Sequence, residues 1–502
     1  MSGTDKGSGA PAATTGTDWG TASGRGGSVA ALLARTSDWA GWERFSELAA
    51  QVGYCTNPVR VRGEIADVDP TTGEMITTYY TSEEPDGVLL LPCRNRRATV
   101  CPSCSRTYAA DTWQLVAAGL RGGKGLPSSV ATHPRVFATL TAPSFGPVHT
   151  IRVGGVPCQR TVRTLCPHGV DLSCVAMHRP GEAVVGTPVC PQCFDYRGLV
   201  VFNALAPKLW ARTVMEIRRR FAALSGISVR QVNTAVCLSY TKVAEYQRRG
   251  AIHLHAVFRL DARSTEAEPQ PPPAPFHDPS FLVAAIHAAA RRVSIDIPAA
   301  DRRDAVPAVV RWGSQLDVAV ITSSQHEQTT NRDPAAPRDR TPARAVANYL
   351  AKYVTKALPA HGKAVDDGVT NPHRDHVRQI RRTCRQLGRD PDLGELRTRE
   401  RAEGFGYPSR PSSRSRNYST TMGALRAERQ QHATTRGEAA KRYAEQDADT
   451  LQVGFWRYAG HGWRGLGEAG WVETKAAQRI EAAENAQQAR ADERRNPTGP
   501  TQ

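Results

Sequence analysis

Two tyrosines and two lysines stand close together in one short segment of the sequence. In ANYLAKYVTKA, residues 347–357, Tyr349 and Tyr353 are four residues apart, and each is followed three residues later by a lysine, Lys352 and Lys356. A phenol has a pKa of about 10 and needs help to attack. A neighbouring ammonium group lowers that pKa and stabilises the charge that develops on a phosphate. The spacing predicts nucleophilic tyrosines assisted by lysines, and the alternative is ordinary helix packing.

The segment around these tyrosines is predicted to be a helix. Thr341 is a good N-cap, Pro342 suits the first helical position, and Pro359 and Gly362 are expected to end the run. At about 100° per residue the tyrosines fall on the margin of an apolar stripe, and the lysines lie just beyond them. The stripe consists of Val346, Leu350, Val354 and Ala357.

A pair of histidines forms a second candidate for chemistry. In AIHLHAVFRL, residues 251–260, His253 and His255 are two residues apart, so both side chains leave the same face of a strand. The apolar residues of the strand are expected to point mostly the other way, into a core; they are Ile252, Leu254 and Phe258. Glu245 lies upstream, across a predicted turn, and Gln247 is the rival third ligand. Two imidazoles and a carboxylate with open positions suit Mg²⁺ or Mn²⁺ bound partly by a substrate phosphate. Two structural histidines are the alternative.

Nine of the eleven cysteines fall into two groups, each with a Cys-Pro-x-Cys motif that is typical of zinc ligands. The stronger predicted zinc site consists of Cys166, Cys174, Cys190 and Cys193, with His168 and His178 as alternates. A second predicted site consists of Cys93, Cys101 and Cys104, with Cys55 as the candidate fourth ligand. Free thiols are the alternative for both groups. The two single residues, Cys237 and Cys384, are expected to be buried or incidental thiols.

The charge of the chain favours a polyanionic partner. The formal net charge is +17, and nucleic acid is the commonest partner of so basic a protein. The mean hydropathy is −0.45, and we find no apolar run of the roughly 18–20 residues that a membrane span needs. The first thirty residues lack the pattern of a signal peptide. We therefore expect a cytoplasmic protein without a membrane partner, whose cysteines are reduced.

These candidate residues need elements that position them, and the sequence predicts strands and helices in mixed order. Strands are predicted over 135–143, 235–243 and 251–260, and a long helix over 205–224. Another helix, another strand and the tyrosine helix follow. This order predicts an α+β fold, in which helices cover the faces of a mostly antiparallel sheet.

Three stretches in this order, FATLTAP, HLHAVF and YLAKYVTK, resemble the three motifs of HUH endonucleases that initiate rolling-circle replication. The paired tyrosines resemble the two-tyrosine branch of that family. The cysteine groups and the stretch SRNYSTT are similar to those of RepSA-type initiators of actinomycete plasmids and integrative conjugative elements. The resemblance covers residues from about 90 to about 425.

The resemblance implies a five-stranded antiparallel sheet that carries the histidines. With the residue patterns above, the predicted fold is an HUH-like sheet with flanking helices, zinc-binding insertions and disordered tails. It implies a Mg²⁺ or Mn²⁺ ion held by His253, His255 and Glu245, which acts as a Lewis acid. It also implies a 5′-phosphotyrosyl intermediate and a free 3′-hydroxyl that primes synthesis. We expect Tyr353 with Lys356 to make the first cleavage, and Tyr349 with Lys352 to resolve the product.

The implied partner is origin DNA, both the single-stranded nick site and the flanking duplex. Because the sequence has no Walker loop, unwinding is expected from a host helicase, and synthesis from a host polymerase. The arginine-rich segment 374–416 is expected to grip duplex DNA, with a solvated basic surface as the alternative. Other candidate functions are an HUH relaxase or transposase, and a non-enzymatic zinc-containing DNA-binding regulator.

The sequence predicts five divisions of the chain, from composition and motif placement. They are a disordered tail over 1–45, a cysteine-rich region over 46–125, a nuclease domain over 126–362 with a Cys/His insertion at about 150–200, a basic DNA-contacting region over 363–430, and a polar tail over 431–502.

Overall fold

A computed structural model describes residues 37–152, 154–159, 164–264, 268–297, 309–322, 340–355, 371–408, 410–436 and 451–495. The helices are α1 (Trp39–Gln51), α2 (Pro102–Arg121), α3 (Tyr196–Ser225), α4 (Val229–Ala235), α5 (Pro279–Arg292), α6 (Ala343–Val354), α7 (Pro372–Leu387), α8 (Met422–Arg436) and α9 (Leu466–Arg495). The strands are β1 (Val59–Val68), β2 (Met75–Tyr80), β3 (Leu89–Leu91), β4 (Arg135–Leu140), β5 (Val236–Tyr246), β6 (Ile252–Ala262), β7 (Ser294–Asp296), β8 (Val309–Arg311), β9 (Leu316–Thr322), β10 (Arg340–Pro342), β11 (Ser412–Arg414) and β12 (Leu451–His461).

The chain forms two compact units. One consists of Met1–Cys93 with Leu451–Gln502, and the other of Arg94–Thr450. In the first unit, β1 pairs antiparallel with β12, β2 and β3. Its small core holds Phe45, Ala49 and Val472, against which aromatic side chains pack, including Trp471.

Two predicted tails are corrected by this unit. Residues 451–461, expected to belong to a polar tail, form a strand that pairs with β1 along its whole length. The same predicted polar tail also contains the helix α9, whose Val472 is buried. At the other end, α1 begins at Trp39, inside the tail predicted to be disordered. A strand whose partner is almost four hundred residues away cannot be recognised from local pattern, because pairing decides its state.

The second unit confirms the α+β prediction. Its main sheet has the order β10–β9–β4–β6–β5–β11, and every neighbouring pair is antiparallel except β10 with β9. Among the residues that the structure describes, the sheet thus has six strands and one parallel pair, where the resemblance implied five antiparallel strands. β5 and β6 form the long central hairpin, paired from Val236 with Ala262 to Tyr246 with Ile252.

The main sheet separates two apolar cores. On β6, Ile252, Leu254 and Phe258 point into the larger core, against α3 and α5. Val257 points to the other face and packs with α2 and α6. Side chains of a strand alternate between faces, so the two histidines of β6 leave on the α2 and α6 side. The prediction that the two histidines and the apolar core residues of this strand lie on opposite faces of the sheet is confirmed.

A buried ion pair lies on the same face of β6 as the two histidines, near the other end of the strand. The fully buried Arg259 donates from Nε and Nη2 to the two carboxylate oxygens of Asp261, at 2.7 and 3.0 Å. His133 Nδ1 lies 2.7 Å from the same carboxylate, and Ser239 donates to it at 2.7 Å. Burial by itself raises the pKa of Asp261, but the contacts with His133, Arg259 and Ser239 outweigh it and hold the pKa below its ordinary value.

We predict that Asp261→Ala destabilises the second unit by about 3–5 kcal/mol, because it leaves the Arg259 guanidinium buried without its counter-charge. Urea unfolding measures the change. Since the folded pKa of Asp261 lies below the unfolded value, its contribution is present above about pH 4 and is lost as the pH falls through the folded pKa. The control is Asp375→Ala, which removes an exposed pair with Arg378 and should cost at most about 1 kcal/mol. Equal losses in the two variants would contradict the prediction.

Candidate active site and metal-binding clusters

The β5–β6 hairpin places the predicted metal ligands side by side. Glu245 on β5 lies directly opposite His253 on β6. The turn between them is closed by the Gln247 amide, which donates to the Ala251 carbonyl at 2.9 Å. Arg249 in the same turn donates to two carbonyl oxygens that follow β4, at 3.0 and 3.1 Å. The predicted turn is therefore well anchored, and it brings the carboxylate alongside the histidines.

His255 is held in one orientation from both ring nitrogens. Its Nε2 lies 2.9 Å from Glu245 Oε2, and its Nδ1 lies 3.1 Å from Thr139 Oγ1. Both contacts are satisfied when Nε2 carries the proton and Nδ1 accepts from the Thr139 hydroxyl. Phe137 stacks on the ring with a centroid separation of 6.1 Å. Phe137 and Thr139 belong to the FATLTAP motif, but sequence reasoning gave neither of them a role.

His253 is only half-buried, and its ring centroid lies 5.8 Å from that of His255. Within the described ranges, groups of three or more metal-binding side chains whose ligand atoms all lie within 4.8 Å occur at clusters that contain cysteine. The two histidines and Glu245 do not form such a closed set. The side-chain amide oxygen of Gln247, the rival third ligand, accepts a hydrogen bond from Arg249 Nε at 2.8 Å. The geometry thus favours Glu245 over Gln247 as the partner of the histidines.

Both tyrosines of α6 lie against the His255 ring. The ring centroids of Tyr349 and Tyr353 are 4.3 Å apart and lie 4.9 and 5.7 Å from that of His255. The Tyr349 hydroxyl is 3.4 Å from His255 Nε2. Burial, with the nearby Tyr353 and the Glu245 carboxylate, raises the pKa of Tyr349 above its ordinary value. Two phenols, an imidazole and a carboxylate therefore meet on one face of the sheet.

The helix α6 is fixed by the apolar stripe that the sequence predicts, since Val346, Leu350 and Val354 are all buried. Its start differs from the prediction by one residue: Pro342 is the N-cap and pairs with β9, so that the first helical residue is Ala343. Trp113 Nε1 on α2 donates to Asn348 Oδ1 at 2.8 Å. At the other end Arg96 donates to the Val354 carbonyl at 3.0 Å. These two hydrogen bonds fix the position of α6 beside the candidate site.

One expected lysine partner is placed differently. The Lys352 ammonium group lies 5.8 Å from the centroid of the Tyr353 ring, so its aromatic neighbour is Tyr353, whereas the sequence paired it with Tyr349. Lys352 comes directly before Tyr353, and the side chain turns towards that ring. Lys356 lies outside the described residues.

The cysteine-rich insertion corrects one predicted ligand set. His168, which the sequence offered as an alternate, takes the place expected for Cys174. Cys174 lies in a separate group that sequence reasoning missed. The first group is Cys166, His168, Cys190 and Cys193, and the second is His149, Cys158, Cys174 and His178. Spacing along the chain could not separate these groups, because Gln159 and Cys174 pair as an isolated bridge that folds the insertion back on itself.

The other cysteines lie in both units. In the first unit, the Cys93 amide donates to Cys55 Sγ at 3.3 Å. In the second, Cys101 is the N-cap of α2, and its Sγ accepts from the Cys104 amide. The predicted zinc site that would use these residues stays a prediction. Cys384 is buried in the larger core, and Cys237 is half-buried.

The basic segment contains a helix with one charged face. Arg378, Arg382 and Arg385 of α7 are exposed, and the buried side chains Val377, Ile380, Cys384 and Leu387 lie on the other face. His376 Nε2 contacts the Arg249 carbonyl at 3.1 Å, which joins α7 to the turn of the β5–β6 hairpin. The exposed arginines therefore stand on an element that is attached to the site.

The stretch SRNYSTT has a packing role. Tyr418 is fully buried and donates its hydroxyl to the Val116 carbonyl at 3.1 Å. The Arg259 guanidinium lies 5.5 Å from the centroid of the Tyr418 ring.

Within the part of the chain that the structure describes, no helix is both long and apolar enough to cross a membrane.

Comparison with known proteins places the chain in a family. Residues 41–477 match the family model described as RepSA, replication initiator protein, pSAM2. A replication initiator protein of Streptomyces ambofaciens is 38% identical over 441 aligned residues, and the alignment covers 86% of this chain and 88% of that protein. No solved structure gives a significant match. The chain therefore belongs to the RepSA family of replication initiator proteins.

Proposed function

We propose that this protein nicks and rejoins origin DNA through a 5′-phosphotyrosyl intermediate, and so starts rolling-circle replication of a plasmid or an integrative element. The observation that carries the proposal is the packing of Tyr349 and Tyr353 on His255, whose imidazole forms a hydrogen bond with the Glu245 carboxylate. Because the chain belongs to a family of replication initiators, we propose that its substrate is DNA. Bacterial DNA replication takes place in the cytoplasm, where we expect the protein to act.

The donor set fits a hard divalent cation. His255 and Glu245 already converge at 2.9 Å, and His253 stands opposite Glu245 on the same sheet face. A cation held by these residues would replace the direct hydrogen bond between imidazole and carboxylate. Nitrogen and carboxylate oxygen, without thiolate, suit Mg²⁺ or Mn²⁺ better than a thiophilic metal. Such an ion supplies Lewis-acid polarisation of the scissile phosphate.

The protein residues perform the bond exchange. A tyrosine loses its phenolic proton, and its oxygen forms the new bond to phosphorus. The bond from phosphorus to the 3′-oxygen breaks, and that oxygen takes up a proton to become the free 3′-hydroxyl. One phosphate ester bond breaks and another forms, so the step is reversible and can also rejoin the strand. The 3′-hydroxyl then primes synthesis by a host polymerase, with unwinding by a host helicase.

Two tyrosines allow the protein to hold one strand end while it cuts again. Tyr349 and Tyr353 are one helical turn apart, and both rings contact His255, so each phenol can reach the same phosphate position in turn. We assign the first cleavage to Tyr353, because the Lys352 ammonium lies beside its ring and stabilises negative charge there. Tyr349 is assigned to the resolving step.

A nicking assay tests the function. The full-length protein is incubated with a single-stranded oligonucleotide from the origin of its parent element, with Mn²⁺, with Mg²⁺ or with excess chelator. Metal-dependent cleavage is expected, with a covalent adduct at the 5′ end of the downstream fragment and a free 3′-hydroxyl on the upstream fragment. Tight binding of origin duplex without cleavage in any of these conditions would instead support the non-enzymatic regulator.

The exposed arginine face of α7 is proposed to contact duplex DNA beside the nick. Replacing Arg378, Arg382 and Arg385 together by Ala should weaken binding. It should also reduce the slope of log affinity against log salt by up to about 0.9 for each phosphate contact, or about 2–3 in total. Fluorescence anisotropy across a range of salt concentrations measures the slope.

A matched control removes three other exposed arginines, Arg219, Arg291 and Arg292, and so the same charge. The control should leave the slope nearly unchanged. Equal slopes for both triple variants would mean that α7 presents only a solvated basic surface.

A further inference from the structure

We infer that residues 149–193 fold as a cross-braced module around two zinc ions, and that the second ion fixes the turn of the β5–β6 hairpin. The second site is built from His149, Cys158, Cys174 and His178. Neither the zinc sites nor the brace depends on the proposed nuclease activity.

The interleaving of the two ligand groups is the first observation. Reading along the chain, two ligands of the second group precede two of the first, then two more of the second, then two more of the first. The order is His149 and Cys158, Cys166 and His168, Cys174 and His178, Cys190 and Cys193. Alternating pairs mean that each ion closes a loop containing ligands of the other. Two ions therefore cross-link this insertion, which contains neither a helix nor a named strand among its described residues.

The spacing of the ligand atoms fits a tetrahedral ion. Bonds of about 2.0–2.3 Å to zinc place tetrahedral ligand atoms about 3.3–3.8 Å apart. In the second group, His178 Nε2 lies 3.2 Å from His149 Nδ1 and 3.5 Å from Cys174 Sγ. Cys158 Sγ lies 4.0 Å from His149 Nδ1. Two imidazole nitrogens and two sulfurs thus converge as a zinc site requires.

Neighbouring groups hold one sulfur and one imidazole of the second site in fixed orientations. Cys158 is fully buried, and its Sγ accepts from the Thr150 amide at 3.1 Å. The other nitrogen of His178, Nδ1, lies 2.9 Å from Glu182 Oε2. Zinc-bound histidines commonly donate their second N–H to a carboxylate, which fixes the tautomer. Glu182 is placed to do this, with Nε2 left to bind the ion.

The same residues connect the second site to the hairpin turn. The Glu182 carbonyl accepts from Arg248 Nη2 at 3.0 Å, and Arg248 lies in the turn between Glu245 and His253. Gly186 packs on Arg248 so closely that a Cβ there would lie 2.4 Å from the Arg248 Cβ. The insertion therefore rests directly on the turn, and ordering the insertion with an ion should order the turn.

A zinc count separates this arrangement from a single four-cysteine site. Metal content of the full-length protein is measured by elemental analysis and native mass spectrometry. The double variant Cys174→Ser/Cys190→Ser should lose two ions per chain, because the two cysteines belong to different sites. A loss of only one ion, or of none, would overturn the two-site module.

A ligand swap keeps the test informative if the serine variants unfold. In cobalt-substituted protein, His178→Cys should retain the ion and increase the thiolate-to-cobalt charge-transfer absorbance, because the second site gains a third thiolate. An unchanged spectrum would show that His178 is not a ligand and would overturn the second site.

Hydrogen exchange tests the brace without using activity. In Cys174→Ser, amides of the turn, residues 247–251, should exchange at least about 10-fold faster than in the wild type. Amides of β4, in the middle of the sheet, should be unchanged. Unaltered exchange in the turn would overturn the proposed link between the ion and the hairpin.

Discussion

Replacing Tyr353 by Phe is expected to remove most of the covalent DNA adduct, and replacing Tyr349 and Tyr353 together is expected to remove all of it. Phe keeps the ring that packs on His255 but has no oxygen to attack phosphorus. Loss of both nucleophiles costs at least about 10³-fold in rate, since no other group is proposed to form the intermediate, whereas Tyr349 can still form a little adduct in the single variant. Denaturing gels of labelled origin DNA measure the adduct, and mass spectrometry of the trapped peptide identifies the modified residue.

The matched control is Tyr108→Phe. Tyr108 lies on α2, packs against the same apolar cluster as the two tyrosines, and has its hydroxyl 3.1 Å from Ser412 Oγ. This change deletes a phenol without touching His255, so the amount of adduct should stay at the wild-type level. A nucleotide found only on Tyr349 would reverse the assigned roles. A nucleotide on a residue outside α6 would refute the tyrosine helix.

Local periodicity was enough to predict the surroundings of the candidate site. The period of two residues in β6 separated His253 and His255 from Ile252 and Leu254, and the structure places these pairs on opposite faces of the sheet. The helical period likewise predicted the buried stripe of α6. Both patterns are set by residues within a few positions of each other, and burial on one face enforces them.

Contacts between distant segments could not be predicted in the same way. The separation of Cys174 from Cys190 depends on how the insertion folds back, and ligand spacing alone allows several groupings. The pairing of β12 with β1 joins opposite ends of the sequence. The direction of Lys352 depends on a single side-chain conformation on the helix surface. In each case the deciding energy comes from a partner that the local sequence does not contain.

The second large effect is expected at the histidine pair. We predict that His253→Ala lowers cleavage of an origin oligonucleotide by at least about 10²-fold, because it removes one of the donors for the divalent cation. The fold should survive, since His253 is half-buried and its neighbours Ile252 and Leu254 keep the core contacts of β6. Isothermal titration calorimetry with Mn²⁺ should show affinity weakened by at least about 10-fold.

A comparison of three histidine variants separates a lost ligand from lost structure. His255→Ala also breaks the contacts with Thr139 and Glu245, so it should lose stability as well as cleavage, whereas His253→Ala should lose cleavage alone. His277→Ala removes an exposed histidine from a loop and should change neither. Partial recovery of His253→Ala at high Mn²⁺ concentration would support weakened binding of the ion. Wild-type cleavage by His253→Ala, or cleavage that persists in excess chelator, would remove the cation from the mechanism.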